Sequence, residues 1–158
     1  MITMEPLQMS IKMELNHRTF YENASAESGS MLGRALFARL AREEDFHAAK
    51  ANEIDDCLKS GENPLAIEES LDTGLKLRAI YSRYNGETDV KFSDSELELV
   101  QSAIEIEENG RLFYEQQSGN TSNAFERRYF EALQKEEQGH HQILLEYRDY
   151  LSSLESTN

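Results

Sequence analysis

The sequence predicts an all-α protein of four long helices, paired as two helical hairpins in a bundle. Three observations lead there. Only Pro6 and Pro64 are proline among 158 residues, and the stretches between glycines are rich in Ala, Leu, Glu, Lys and Arg, the strong helix formers. Apolar residues recur every three or four positions, the spacing of one helix face. The second half of the chain also partly repeats the first.

The elements follow from their punctuation. Pro6 suits the first turn of a helix running to about Ala26, and Ser28-Gly29-Ser30 breaks it. The second helix runs to about Lys59 and stops at Gly61, a left-handed terminator. Asn63-Pro64 then reads as a cap and first-turn proline, opening a shorter helical stretch that ends near Tyr84 at Asn85-Gly86. Its apolar residues Leu65, Ile67, Leu71, Leu75, Leu77 and Ile80 make it a helical crossover lying over the bundle or a neighbouring subunit. Ser93 with Glu96 is the pattern of a capping box opening the third long helix. Ser118-Gly119-Asn120-Thr121 interrupts that helix, and Asn123 with Glu126 opens the last one, to about Leu154.

Two of the apolar stripes have a polar gap at their centre. Phe37, Leu40, Ala48, Ala51, Ile54 and Leu58 are interrupted by Glu44 and His47. Phe130, Leu133, Leu144, Tyr147, Leu151 and Leu154 are interrupted by Glu137 and His140. Ionisable groups in the middle of a core stripe are costly unless paired or bound to metal.

The repeat shows what fills the gap. An offset of 93 residues carries Ile11, Glu14, Arg18, Phe20, Tyr21 and Glu22 onto Ile104, Glu107, Arg111, Phe113, Tyr114 and Glu115. The same offset carries Arg34, Phe37, Leu40, Glu43, Glu44, His47 and Leu58 onto Arg127, Phe130, Leu133, Glu136, Glu137, His140 and Leu151. Each half therefore has one Glu on its first helix and a Glu-x-x-His on its second. Gly29 lies 15 residues from both Glu14 and Glu44, and Ser122 lies 15 from both Glu107 and Glu137. At about 1.5 Å per residue, both glutamates of a hairpin sit about 22 Å from their turn and come level in an antiparallel pair. The i, i+3 spacing turns each Glu and its His to one helix face. Packing two such hairpins places Glu14, Glu44, His47, Glu107, Glu137 and His140 in one layer.

That donor set is suited to two metal ions. Four carboxylates balance two divalent cations, and without metal they should hold protons through mutual repulsion. Carboxylate and imidazole favour iron or manganese, with zinc or cobalt also able to enter. Cys57 is the only cysteine, which excludes an internal disulfide, a thiolate zinc cluster and a CxxC redox pair. A net charge of −14, from 30 acidic and 16 basic residues, argues against nucleic acid or an anionic membrane as partner. No apolar run reaches the roughly 20 residues of a membrane span, and the N-terminus lacks a signal-peptide pattern, so a cytoplasmic location is expected.

At these residues the chain resembles the rubrerythrin branch of the ferritin-like di-iron proteins. The resemblance rests on Glu14 with Phe20-Tyr21, Glu44-x-x-His47, Glu107 with Phe113-Tyr114, and Glu137-x-x-His140. It covers most of the chain outside about residues 61 to 92. It implies a single ferritin-like domain over residues 1–158, a four-helix bundle with a long crossover between the second and third helices, and often a homodimer. It also implies two iron ions and an oxidoreductase that reduces hydrogen peroxide with electrons from a partner. Full-length rubrerythrins carry a rubredoxin module with four iron-binding cysteines, so here the donor would be a separate rubredoxin-type protein. The family also tends to carry a further glutamate one turn after the third-helix ligand, a residue associated with iron shifting during peroxide turnover; this chain has Gly110 there. The alternative is a bundle that binds or oxidises iron, or senses metal, without peroxidase turnover.

Several residues stand around this set. Tyr21 and Tyr114, seven residues after Glu14 and Glu107, read as hydrogen-bond donors to the ligand carboxylates, with ordinary core tyrosines as the alternative. His17 occupies the repeat position of Gly110. It reads as a surface histidine, with an approach to the metals as the alternative. His141 reads as exposed and Cys57 as an inert core thiol.

Overall fold

A computed structural model of the protein describes residues 5–62, 79, 82–83 and 90–155. Four helices dominate it: α1 (Pro6–Glu27), α2 (Met31–Ser60), α3 (Asp94–Asn120) and α4 (Ala124–Glu155). No strand occurs among the described residues. No helix among them is long and apolar enough to cross a membrane. The residues of the expected crossover helix lie outside the described ones, apart from Ala79, Ser82 and Arg83.

Local chemistry sets the ends. Pro6 opens α1, where a missing N–H costs nothing. Ser30 caps α2 by accepting from the Gly33 N–H, and Gly61 closes it at φ 77°. Asn123 Oδ1 accepts from the Glu126 N–H at 2.9 Å at the start of α4. The expected break at residues 118–121 is shorter than its composition suggests, because α3 continues through Asn120.

Side-chain pairings fix the directions. Arg18 meets Asp45 and Ser25 meets the Arg34 carbonyl, so α1 and α2 are antiparallel. Tyr21 pairs with Glu107 and Tyr114 with Glu14, which makes α1 and α3 antiparallel. Tyr129 with the His47 carbonyl, and Ser30 with Tyr147, do the same for α2 and α4. The start of α3 therefore lies beside the α1–α2 turn, where Glu96 accepts from Ser28 Oγ and the Gly29 N–H. The end of α2 lies at the opposite end of the helices, so residues 61–93 must connect points separated by about the length of α2, roughly 45 Å.

Two apolar clusters divide the interior. Tyr21, Leu36, Phe37, Leu40, Val100 and Leu144 belong to the cluster toward the α1–α2 turn. Leu7, Ala51, Ile54, Tyr114, Phe130 and Leu133 belong to the other. On every helix the polar residues of the repeat fall between them.

Candidate metal centre

The six repeat residues meet in that middle layer. Glu14, Glu44, His47, Glu107, Glu137 and His140 come from all four helices, and each is 0% exposed. Their donor atoms form two overlapping groups, Glu14–Glu44–His47–Glu137 and Glu44–Glu107–Glu137–His140, with the atoms of each group within 4.8 Å of one another. Glu44 and Glu137 belong to both groups, so their carboxylates lie between the two positions. His47 Nδ1 is 3.4 Å from Glu14 Oε2, and His140 Nδ1 is 3.3 Å from Glu107 Oε1. The imidazoles stack with centroids 5.7 Å apart and planes 13° from parallel.

Each hairpin supports the other's glutamate. Tyr21 OH donates to Glu107 Oε1 and Tyr114 OH donates to Glu14 Oε1, both at 2.5 Å. Ser10 Oγ lies 2.6 Å from the Tyr114 hydroxyl. Tyr129, not singled out by the sequence, donates to the His47 carbonyl at 2.8 Å and ties the backbone of that ligand helix to α4. Burial, then the facing carboxylates, raise all three phenols well above their ordinary value, so they remain protonated donors.

Protons distribute unequally over the four carboxyls. Burial, and then the neighbouring carboxylates, push Glu44 and Glu137 well above the usual range, so these two central groups stay protonated in the metal-free chain. Burial acts on Glu14 and Glu107 too, but is outweighed. The Glu44 carboxyl and the His47 imidazole hold Glu14 at about 2. His140 and Glu137 do the same for Glu107, also at about 2. Burial opposes charge on His140, and the Glu107 carboxylate overcomes it, raising that imidazole above its ordinary value.

The donor set fits metal ions by its own hydrogen-bond accounting. Both oxygens of Glu44 and of Glu137, Oε2 of Glu14 and of Glu107, and both ring nitrogens of His47 are buried without a hydrogen-bond partner. Leaving such groups unsatisfied costs about 1–3 kcal/mol each, and more when charged. Cations at the two positions would satisfy the carboxylate oxygens and the inward-facing imidazole nitrogens together.

Three surrounding residues differ from expectation. His17 is not a surface histidine: it is only 9% exposed, and its Nδ1 lies 3.5 Å from Glu44 Oε2. The sequence carried this approach only as the alternative, because the repeat partner is a glycine and offers no second copy to support it. His141 and Cys57 are half-buried, neither open to solvent nor in the core. Glu43 and Glu136, each just before a ligand-type glutamate, are also buried, and Arg39 covers Glu43 at 2.7 Å. Set against protein-family models, curated proteins and solved structures, the chain matches none, so the reading of this centre rests on its own geometry.

Proposed function

We propose that the protein is a di-iron redox protein of the rubrerythrin type with a ferritin-like arrangement of its helices, reducing hydrogen peroxide with electrons from a separate donor. One observation supports this above the rest: two overlapping, fully buried Glu/His groups that share Glu44 and Glu137. Sharing suits carboxylates that bridge a pair of ions, while Glu14 with His47, and Glu107 with His140, complete one position each. Manganese or zinc would find acceptable donors in the same set.

Iron bound there would supply two electrons to the O–O bond of peroxide, which with two protons gives two waters. The chain's own residues set the conditions. Tyr21 and Tyr114 fix the orientation of Glu107 and Glu14, so those carboxylates need not reorganise. The apolar clusters on either side exclude bulk water, which strengthens every charge interaction between them.

A second reading, iron binding or oxidation without turnover, is favoured by Gly110. A Cβ there would lie 3.0 Å from Glu137 Oε2, leaving no space for a further carboxylate without movement. Peroxide separates the two. Protein purified without oxygen should contain two irons per chain by elemental analysis. After reduction, it should consume about one equivalent of hydrogen peroxide quickly and then stall until a rubredoxin-type donor and its reductase are added. Iron binding without oxidation by peroxide would leave the second reading; no bound metal would remove both.

A further inference from the structure

Positions 17 and 110 face each other across the α1–α3 interface, in the register set by the Tyr21–Glu107 and Tyr114–Glu14 pairs. They are also the two copies of one repeat position, so the internal symmetry would place identical side chains there. The chain breaks that symmetry with imidazole on one side and hydrogen on the other. The space is then filled: a Cβ on Gly110 would lie 3.4 Å from His17 Cε1.

The His17 ring is directed toward the carboxylates. Its Nδ1 is buried and has no hydrogen-bond partner, and the same holds for Glu44 Oε2, 3.5 Å away. Donors bound to one cation at about 2.0–2.2 Å lie about 3.0–3.5 Å apart, along an edge of the coordination polyhedron. Three other imidazole–carboxylate pairs of the centre show similar spacing, at 3.4 Å for His47 with Glu14, 3.1 Å for His140 with Glu44 and 3.3 Å for His140 with Glu107, while His47 with Glu137 is longer at 3.9 Å. Glu44 turns Oε1 toward His140 and Oε2 toward His17. His17 is also one helical turn from Glu14 on the same face of α1.

His17 lies outside both compact donor groups, and its one close approach is to Glu44 Oε2. From this geometry we infer that His17 is a seventh protein ligand, drawn in through Nδ1 to an ion that Glu44 also binds. This rests on the metal reading above and deepens it. One ion then has one more protein donor than the other, so the two positions are inequivalent. The extra donor also borders solvent: a pocket of about 340 Å³ has Met9, Lys12, Met13, Asn16 and His17 in its walls. The position with the additional nitrogen is therefore the one nearer that pocket.

The test refills metal-free protein with Co²⁺ under anaerobic conditions and uses the parent, His17→Ala and His17→Gln. Proton NMR of histidine-labelled protein counts the imidazoles shifted strongly by direct bonding to Co²⁺. The parent should show three, from His17, His47 and His140, and both variants two. Calorimetry should show one of the two Co²⁺ binding steps weakened by at least about tenfold in each variant, the other changing less. A parent that binds two Co²⁺ but shows only two bonded imidazoles overturns the assignment, as do variants with unchanged affinities for both ions. A parent that binds no Co²⁺ overturns the metal reading itself and this assignment with it.

Discussion

Tyr21 and Tyr114 illustrate how single side chains set the centre. Each donates to the glutamate of the opposite hairpin, and burial keeps each protonated. Replacing either by Phe should weaken metal binding by about 10–100-fold and destabilise the fold by about 1.5–3 kcal/mol, because a buried carboxylate loses a donor. Tyr129→Phe provides the contrast, since its hydroxyl serves the His47 carbonyl and not a carboxylate. It should cost about 1 kcal/mol in urea melts and leave metal affinity within a few-fold. Equal metal affinities in all three variants would contradict these roles. At this scale the repeat made much legible, because Glu14, Glu44, His47, Tyr21 and their copies announce one another at a fixed offset. It could not show the burial of His17, whose copy is Gly110. Complementarity between a large and a small residue emerges only when the two helices are packed.

At the scale of elements, the helix starts show where a local rule gives way to a tertiary one. Ser93 and Glu96 have the sequence of a capping box, and the Ser93 hydroxyl does accept from the Glu96 N–H at 3.0 Å. The Glu96 carboxylate does not complete the box. It accepts from Ser28 Oγ and Tyr147 OH, both at 2.6 Å, and from the Gly29 N–H at 3.1 Å, joining the start of α3 to the α1–α2 turn and to α4. Pairing within the box would have taken the acceptor from the buried Ser28 hydroxyl. Glu96→Ala should therefore destabilise the chain by about 3 kcal/mol in urea melts, while the number of metals bound stays the same, since Glu96 lies about 16 Å along α3 from Glu107. Gly33→Ala should be damaging at the same place, because a Cβ would collide with Ser28 Oγ and the Glu96 carboxylate. A melt unchanged by either substitution would show that this junction holds nothing together. The sequence marked these residues as caps, but only packing could reveal which donors a buried carboxylate would serve.

For the whole molecule, metal bound at the candidate centre would compete with protons for one layer. Burial and the neighbouring carboxylates raise Glu44 and Glu137 well above the usual carboxylate range. Their contribution to stability is full below about pH 4.5 and is lost as pH rises, since the unfolded chain releases those protons sooner. His140, raised above 6.5, acts in the same direction at higher pH. Glu14 and Glu107, held at about 2, contribute above the unfolded carboxylate value and lose that contribution as pH falls toward 2. The metal-free chain should thus be most stable in mild acid, with a Tm that falls between about pH 5 and about pH 8. Saturating metal should raise Tm, and by more at the higher pH, because binding would require Glu44 and Glu137 deprotonated. Thermal scans with and without chelator at both pH values check this; a metal-free Tm that climbs with pH would contradict it. The four-helix plan was legible at this scale because Gly29 and Ser122 are equidistant from their glutamates, which sets the hairpins level. The path of the crossover was not, since helical composition does not say which surface a segment covers.

The division of the interior into two apolar clusters has a dynamic consequence. A polar layer with many buried oxygens lacking hydrogen-bond partners is a poor conductor of cooperativity, so in the metal-free chain each end should be able to open while the other stays closed. Amide hydrogen exchange would then resolve two foldons, one containing Leu36 and Leu144 and the other Ile54 and Leu133. Ions bound at the middle would couple those openings, and the two groups of amides should then merge into one unit exchanging only through global unfolding.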